Sequence, residues 1–160
     1  MIFIGIVEDD AQIRNSVQSY LSRQDNFVCD SAYDSIENLL PNLSSENHPD
    51  VLIVDIGLPG MSGIEGMKII KDKIPVIDLV VFTVYNDPQK IFDSLCAGAT
   101  GYLLKNTPLQ ELKEGIELLA KGGSPMSPQI ARMVIQFFND GKKKNITSPL
   151  SQKEKEIVIG

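Results

Sequence analysis

Short runs of apolar residues recur through the first two thirds of the chain, and most of them lack the alternation of a half-exposed strand. A strand that is apolar on both faces belongs inside a parallel sheet covered by helices on each side. The segments between the runs are long enough for crossover helices. The runs that predict strands are Ile2–Val7, Phe27–Tyr33, Val51–Val54, residues 76–82 and Gly101–Leu104.

Apolar residues at helical spacing occupy the segments between these runs. Ile13, Val17 and Leu21, for example, fall on one face of a helix. Further helices are predicted over residues 34–43, after Ser62, after Pro88 and around Leu112 and Ile116. The pattern therefore predicts an α/β domain with a doubly wound, five-stranded parallel sheet, helices on both faces, and an end near Lys121.

The composition changes after the predicted domain of residues 1–121. Gly-Gly-Ser-Pro at residues 122–125 breaks the helical pattern, and Ser127-Pro128 is typical of a helix N-terminus. We expect a linker over residues 122–147, with a C-terminal linker helix at about 127–139 followed by a flexible tether. Residues 148–160 begin a further segment.

Composition and charge narrow the possible functions. The 160 residues include 42% hydrophobic and 22% charged residues, as in an ordinary globular protein, and the net charge is −6. An acidic chain is a poor ligand for nucleic acid, because binding at phosphates depends on Lys and Arg. With two cysteines in apolar surroundings, no basic leader and no apolar run long enough to span a membrane, we expect a cytoplasmic protein without a membrane partner.

Polar residues follow the predicted strands at one edge of the sheet. Glu8 and Asp9 follow the first strand, Asp55 follows the third, Thr83 ends the fourth and Lys105 follows the fifth. In open parallel sheets, ligands bind beyond the carboxyl ends of the strands. Three carboxylates at this edge would repel one another without a cation, and their oxygens suit Mg²⁺.

These residue types also suit phosphoryl transfer. Asp55 could bind the metal and attack phosphorus, Lys105 could pair with phosphoryl oxygens, and Thr83 could donate a hydrogen bond to another of them. The alternative for the acids after the first strand is structural, since Asp9 or Asp10 could cap the following helix. The joint placement at several strand ends favours the chemical interpretation.

Four segments, IVEDD, VDIGLPGMSG, VFTVYND and GATGYLLK, resemble in order the signatures of response-regulator receiver domains. The resemblance extends from about Ile2 to Lys121 and implies a flavodoxin-like sheet with strand order 2-1-3-4-5. It implies that Asp55 is the phosphoacceptor and that Mg²⁺ is bound by Asp9, Asp55 and the Gly57 carbonyl.

The same resemblance assigns the remaining site residues. Glu8 would help to bind the metal through water, Thr83 would be the switch hydroxyl and Lys105 the lysine that pairs with the phosphate. Tyr102 resembles the aromatic residue that changes rotamer on activation, although a core tyrosine with its hydroxyl at the surface is the alternative. Such a protein catalyses its own phosphotransfer and dephosphorylation and is not a conventional turnover enzyme.

Two features resemble regulators with LuxR-type output domains. Lys105 is followed by Asn106, where many receivers have proline, so a cis peptide bond is not expected there. Residues 148–158, SPLSQKEKEIV, resemble the opening of a LuxR-type helix-turn-helix domain, whose recognition helix would lie beyond Gly160. We therefore expect a sensor histidine kinase as partner, a homodimer on activation, and DNA contact only through the output domain.

Two other functions remain open from the sequence. A stand-alone or phosphorylation-independent receiver would act through protein contacts alone. A phosphatase of the haloacid-dehalogenase type also uses an aspartate nucleophile and Mg²⁺, but its nucleophile should follow the first strand with another Asp two residues on. Glu8, Asp9 and Asp10 depart from that pattern.

Overall fold

A computed structural model describes the backbone of residues 1–147 and the side chains of residues 1–141. The strands of this part are β1 (Ile2–Val7), β2 (Phe27–Tyr33), β3 (Val51–Val54), β4 (Asp78–Thr83) and β5 (Gly101–Leu104). The helices are α1 (Ala11–Ser22), α2 (Ile36–Leu39), α3 (Gly63–Lys73), α4 (Pro88–Cys96), α5 (Leu109–Ala120) and α6 (Pro128–Thr147). No helix in the described part is long and apolar enough to cross a membrane.

The five strands form one sheet in the order β2-β1-β3-β4-β5, and every neighbouring pair is parallel. The strand order and the helices around the sheet confirm the predicted flavodoxin-like fold. Because the order reverses at β1, the carboxyl ends of β1 and β3 lie side by side at the position where such sheets bind ligands. The fold thereby brings together the residues that follow these two strands.

The hydrophobic core explains why the apolar runs become these strands. All residues of β3 and β5 are buried, as expected for strands covered on both faces. One core cluster joins β1, β3, β4 and β5 to the apolar faces of α1 and α5. Its members include Ile4, Ile6, Val17, Leu21, Ile53, Phe82, Leu103, Leu112 and Ile116.

Two elements within residues 1–121 differ from the sequence-based expectation. β4 begins at Asp78, and Val76 is left exposed by the turn in which the Ile77 amide bonds to the Ile74 carbonyl. The helix expected over residues 34–43 is a single α turn that continues as a 3-10 turn, Leu40–Asn42, with Pro41 inside it. Proline cannot donate the helical hydrogen bond, so a regular helix does not continue there.

α6 begins where Ser127-Pro128 predicted but ends at Thr147 rather than near Asn139. The residues after Asn139, which were expected to form a flexible tether, are therefore helical as far as Thr147. Lysine is a good helix former, and one glycine, Gly141, costs only about 1 kcal/mol relative to alanine. The predicted start of a helix-turn-helix domain at residues 148–160 lies outside the described residues.

The first compact unit, Met1–Ser127, includes residues 122–127, which the sequence assigned to the linker. This segment joins the unit because it pairs with the outer edge of β5: the Tyr102 amide donates to the Pro125 carbonyl, and the Ser127 amide donates to the Tyr102 carbonyl. The division of the chain into domains at residue 121 stays a prediction.

Candidate functional site

The segment between β1 and α1 contains three consecutive acids, Glu8, Asp9 and Asp10, which have different roles. Asp10 is the N-cap of α1, because its Oδ1 accepts hydrogen bonds from the amides of Gln12 (2.9 Å) and Ile13 (3.1 Å). The capping role weighed for the acids of this segment therefore belongs to Asp10. Glu8 and Asp9 are left for other contacts.

Three carboxylates converge beyond the carboxyl ends of β1 and β3. Glu8, Asp9 and Asp55 each offer an oxygen, and these oxygens all lie within 4.8 Å of one another. Glu8 and Asp55 are buried, whereas Asp9 is exposed. Anions at this spacing disfavour one another's charge unless a cation lies among them. The strand-end residues predicted from the sequence are thus brought into one cluster.

Lys105, the first residue after β5, supplies a positive charge to this cluster. Its Nζ lies 2.7 Å from Glu8 Oε1 and 2.8 Å from Asp55 Oδ2. Burial lowers the pKa of Lys105, but hydrogen bonds to Asp55 and Glu8 outweigh it and leave that pKa raised. Burial raises the pKa of Glu8, while the bond from Lys105 lowers it; the pKa stays above its ordinary value. Lys105 is therefore held in its charged form.

Two further donors fix the second oxygen of the Asp55 carboxylate. The hydroxyl of Thr83, fully buried at the end of β4, donates to Asp55 Oδ1 over 2.8 Å. The Gly57 amide donates to the same oxygen over 3.1 Å. Since Lys105 holds Oδ2, both oxygens of Asp55 are bound, and the carboxylate is oriented before any ligand arrives.

The loop after β3 is held from both sides. A side chain at Gly63 would collide with the Asp55 carbonyl, so glycine allows the first turn of α3 to pack directly beneath the site. Gly60 adopts a positive φ of 75°, and Glu37 of α2 accepts a 2.8 Å hydrogen bond from the Met61 amide. No sequence motif points to Glu37, because only the fold brings it to this loop.

Tyr102 of β5 is completely buried, and its hydroxyl donates a 2.8 Å hydrogen bond to the Tyr85 carbonyl. Burial raises the pKa of Tyr102, so its hydroxyl stays protonated and donates. This geometry does not match the alternative of a tyrosine whose hydroxyl lies at the surface. The Tyr85 ring packs against Gly57, where an added Cβ would lie 2.6 Å from its Cε2. Tyr85 lies in the segment VFTVYND but was given no role from the sequence; its ring and carbonyl make it part of the site.

The chemistry of the donor set fits a magnesium ion. Among the described residues, the ligand atoms that this cluster offers are carboxylate oxygens of Glu8, Asp9 and Asp55. Hard cations bind such oxygen sets, and Mg²⁺ needs only one or two protein carboxylates because it keeps several waters. Gly57 lies at the same place, since its amide contacts Asp55.

Comparison with known proteins agrees with this fold. A family model described as the response regulator receiver domain matches residues 4–117. The oxygen regulatory protein NreC of Staphylococcus carnosus (strain TM300) is 31% identical over 163 residues, which cover 97% of this chain and 74% of NreC. The transcriptional regulatory protein LiaR of Bacillus subtilis (strain 168) is 28% identical over 160 residues, covering 99% and 75%.

Solved structures give the same result. A LuxR-family two-component response regulator from Aurantimonas sp. SI85-9A1 has a TM-score of 0.78 and 26% identity, covering 85% of this chain and 96% of that one. The isolated receiver domain of RcsB from Salmonella enterica serovar Typhimurium, with phosphomimetic BeF3−, shares the fold at a TM-score of 0.74 and 23% identity, covering 82% and 97%. The chain therefore belongs to the response-regulator family of two-component systems, with a receiver domain related to those of LuxR-family transcriptional regulators.

Proposed function

We propose that Asp55 accepts a phosphoryl group and that its phosphorylation controls a transcriptional output. The observation that supports this best is the environment of Asp55. Its carboxylate is buried, bound on one oxygen by Thr83 and Gly57 and on the other by Lys105. An oriented carboxylate with a charged lysine beside it suits attack on a phosphoryl group, whose charge must be neutralised during transfer.

In the proposed reaction an Asp55 oxygen forms a bond to phosphorus. The bond from phosphorus to the donor breaks, and the leaving group takes its electron pair. The donor is a phosphohistidine of a sensor kinase or a small acyl phosphate. Lys105 Nζ, which already contacts Asp55 Oδ2, has three N–H donors and can pair with the phosphoryl oxygens as they arrive.

Glu8, Asp9, Asp55 and the Gly57 carbonyl are the proposed holders of Mg²⁺, Glu8 acting through water. The bound ion would neutralise charge on the phosphoryl oxygens and orient them for in-line attack. The contribution of the chain is to keep these acids together in a partly buried place. Because Lys105 bridges Glu8 and Asp55, the same side chain keeps their charges compatible with folding.

Thr83 and Tyr102 are the proposed switch residues. Thr83 already donates to Asp55, so it lies within reach of a phosphoryl group on that residue. Movement of its hydroxyl toward the phosphate would shift the end of β4, whose next residues lead to Tyr85, the partner of Tyr102. A small local change would thereby bias a two-state surface near α4 and β5.

The partners follow from the family. We propose a sensor histidine kinase as donor, a homodimer on activation, and a DNA-binding output domain beginning near residue 148, in the cytoplasm. Relatives such as YdfI of Bacillus subtilis (strain 168), 28% identical over 156 residues, are named transcriptional regulatory proteins. The net charge of −6 makes the 160 residues as a whole a poor ligand for DNA, which supports placing the DNA contact in the output domain.

The test is intact mass spectrometry after incubation with acetyl phosphate and Mg²⁺. One added phosphoryl group is expected, absent when Asp55→Asn replaces the wild type and absent when a chelator removes the metal. Asp50→Asn, on the opposite edge of the sheet, is a matched control that should load normally. Wild-type protein that never gains mass, while remaining folded, would instead indicate a receiver that works through contacts alone.

A further inference from the structure

β5 lies at the edge of the sheet, so its outer backbone groups need partners other than a neighbouring strand. Residues 125–127 supply them. The Tyr102 amide donates to the Pro125 carbonyl over 2.9 Å, and the Ser127 amide donates to the Tyr102 carbonyl over 3.1 Å. We call residues 125–127 the β5 strap. Its pairing is short because Pro128 begins α6 directly after Ser127.

Two glycines seat the β5 strap. A Cβ added to Gly101 of β5 would lie 2.9 Å from the Pro125 side chain, and one added to Gly115 of α5 would lie 3.1 Å from it. Pro125 is therefore packed between a strand and a helix, at two places where the absence of a side chain on glycine allows the close approach. This packing fixes the position of the strap along β5 and with it the position of Ser127.

At the end of the strap, Ser127 bonds to β5 through its side chain as well as its backbone. Its Oγ accepts a 3.0 Å hydrogen bond from the Leu104 amide, at a point where a longer strand would have offered a carbonyl. The same Oγ lies 3.4 Å from the Thr107 hydroxyl. Ser127 is only 9% exposed, so water does not readily replace these contacts.

The two partners of Ser127 flank Lys105. Leu104 comes directly before Lys105 and Thr107 comes two residues after it, so a single hydroxyl contacts both sides of the segment that presents the lysine. On the inner side, the Lys105 amide is bonded to the Thr83 carbonyl over 2.9 Å. The residue after Lys105 is Asn106.

We propose that Ser127 is a positioning residue for Lys105: it holds the end of β5 and the following turn so that Nζ reaches both Glu8 and Asp55. The proposal rests on the proposed function, because Lys105 is assigned there to phosphoryl transfer. It adds a residue outside the four segments that resemble receiver signatures and outside the matched residues 4–117, in the segment that leads to α6. Removing the hydroxyl would leave the Leu104 amide buried without this acceptor, and the turn around Lys105 would loosen.

The first experiment compares loading rates with acetyl phosphate and Mg²⁺. Ser127→Ala should slow loading about three- to tenfold, the effect of losing one well-placed hydrogen bond. Ser127→Thr keeps a hydroxyl and should restore the rate, while Ser124→Ala, an exposed serine one residue before the strap, should match the wild type.

A double-mutant cycle separates positioning from general destabilisation. If Ser127 acts through Lys105, adding Ser127→Ala to Lys105→Ala should cause no further loss of rate. An equal slowing in both backgrounds would overturn the proposal. Should Ser127→Ala fail to fold, Thr107→Val removes only the weaker contact, and a smaller slowing that also disappears in the Lys105→Ala background is expected.

Amide hydrogen exchange tests the contact without any phosphodonor. The peptide containing residues 101–107 should exchange faster in Ser127→Ala than in the wild type or in Ser127→Thr. Unchanged exchange would refute the contact itself, and faster exchange with normal loading would refute the positioning role. A wild type that exchanges as expected but never loads would overturn the proposed function, and with it the role of Ser127 in transfer.

Discussion

Acidic residues lie at both edges of the sheet, and the two edges use them differently. At the amino edge, Asp50 precedes β3 and Asp78 begins β4; Asp50 Oδ2 accepts a 2.9 Å hydrogen bond from the Phe3 amide. At the carboxyl edge, Glu8 and Asp55 share the ammonium group of Lys105. At the first edge a carboxylate is bonded to the backbone, and at the second edge two carboxylates contact a lysine ammonium group.

The contrast extends to the lysines. Lys71 of α3 lies at the amino edge, and its Nζ donates to the carbonyls of Pro75 and Ile77. It thus stabilises a turn, whereas Lys105 contacts two acids. Asp50 is bonded to a backbone amide and contributes to the fold, whereas Glu8 and Asp55 contact a lysine as well as backbone amides. Acids held by one lysine can exchange that partner for a metal and a phosphoryl group, so the carboxyl edge is the one suited to chemistry.

The largest expected effect comes from removing the lysine at the carboxyl edge. Lys105→Ala should slow phosphoryl loading about 100-fold, as the loss of one group aimed at the charge of a transition state does in enzymes. Lys71→Ala, its counterpart at the amino edge, should load at the wild-type rate. Rates are measured by intact mass against time with acetyl phosphate, and equal slowing by both changes would abolish the distinction between the edges.

Metal binding should stabilise the protein through the carboxyl edge alone. At a Mg²⁺ concentration about ten times its Kd, the free energy of unfolding should rise by about 1.4 kcal/mol. Asp9→Asn should remove most of this gain, because it takes away an exposed carboxylate of the cluster. Asp50→Asn should keep it. Urea unfolding with and without Mg²⁺ measures the gain, and an equal loss in both variants would contradict a site at this edge.

Removing an acid of the amino edge should affect stability and not loading. Asp50→Ala deletes the acceptor of the Phe3 amide and should lower the free energy of unfolding by about 1 kcal/mol. Asp50→Asn retains a side-chain oxygen and should lose less. Urea denaturation gives the energies, and phosphoryl loading of both variants gives the control. A large fall in loading with Asp50→Ala would mean that the two edges are coupled.

The smallest expected effect is a pH dependence of the free energy of unfolding that arises from Asp78 at the amino edge. Burial raises the pKa of Asp78, the nearby Lys71 charge lowers it and the Asp50 charge raises it, and the pKa stays above the ordinary value. The folded state therefore favours the protonated acid. The stability contributed by this preference is present below the pKa of the unfolded chain and is lost as pH rises through the folded pKa.

Asp78→Asn should remove this loss, so its stability relative to the wild type should increase as pH rises from the acid range to neutral. Urea titrations of both proteins at a series of pH values, without Mg²⁺, give the difference curve. A difference that is independent of pH, or that falls as pH rises, would contradict the assigned direction.

The sequence predicted the sheet and the strand-end residues because both depend on local patterns. Apolar runs predict buried strands, and parallel topology brings the residues after them to one edge, so the proximity of Asp55 and Lys105 follows from the pattern of strands alone. The contacts of Glu37, Tyr85 and Ser127 could not be predicted in this way. Each depends on how a loop or a side chain packs between elements distant in the chain, and no spacing rule describes that.

The length of α6 could not be predicted from the sequence pattern either. Its apolar stripe fades after Phe138, and Asp140-Gly141 resembles a break, yet the helix continues to Thr147. Helix propensity is a weak guide here, since single residues contribute only about 1 kcal/mol or less and cannot fix an end point. Proline is the stronger signal, and Pro149 is the next one along the chain.

The most direct test of the central claim is to locate the phosphoryl group. After loading with acetyl phosphate and Mg²⁺, borohydride reduction converts an aspartyl phosphate to homoserine, which tandem mass spectrometry of peptides can place in the sequence. We predict homoserine at Asp55 and none at Asp9, Asp50 or Asp78, and no conversion of Glu8 to 2-amino-5-hydroxypentanoic acid, the alcohol that a glutamyl phosphate would give. Conversion at any of those four in place of Asp55 would contradict the account.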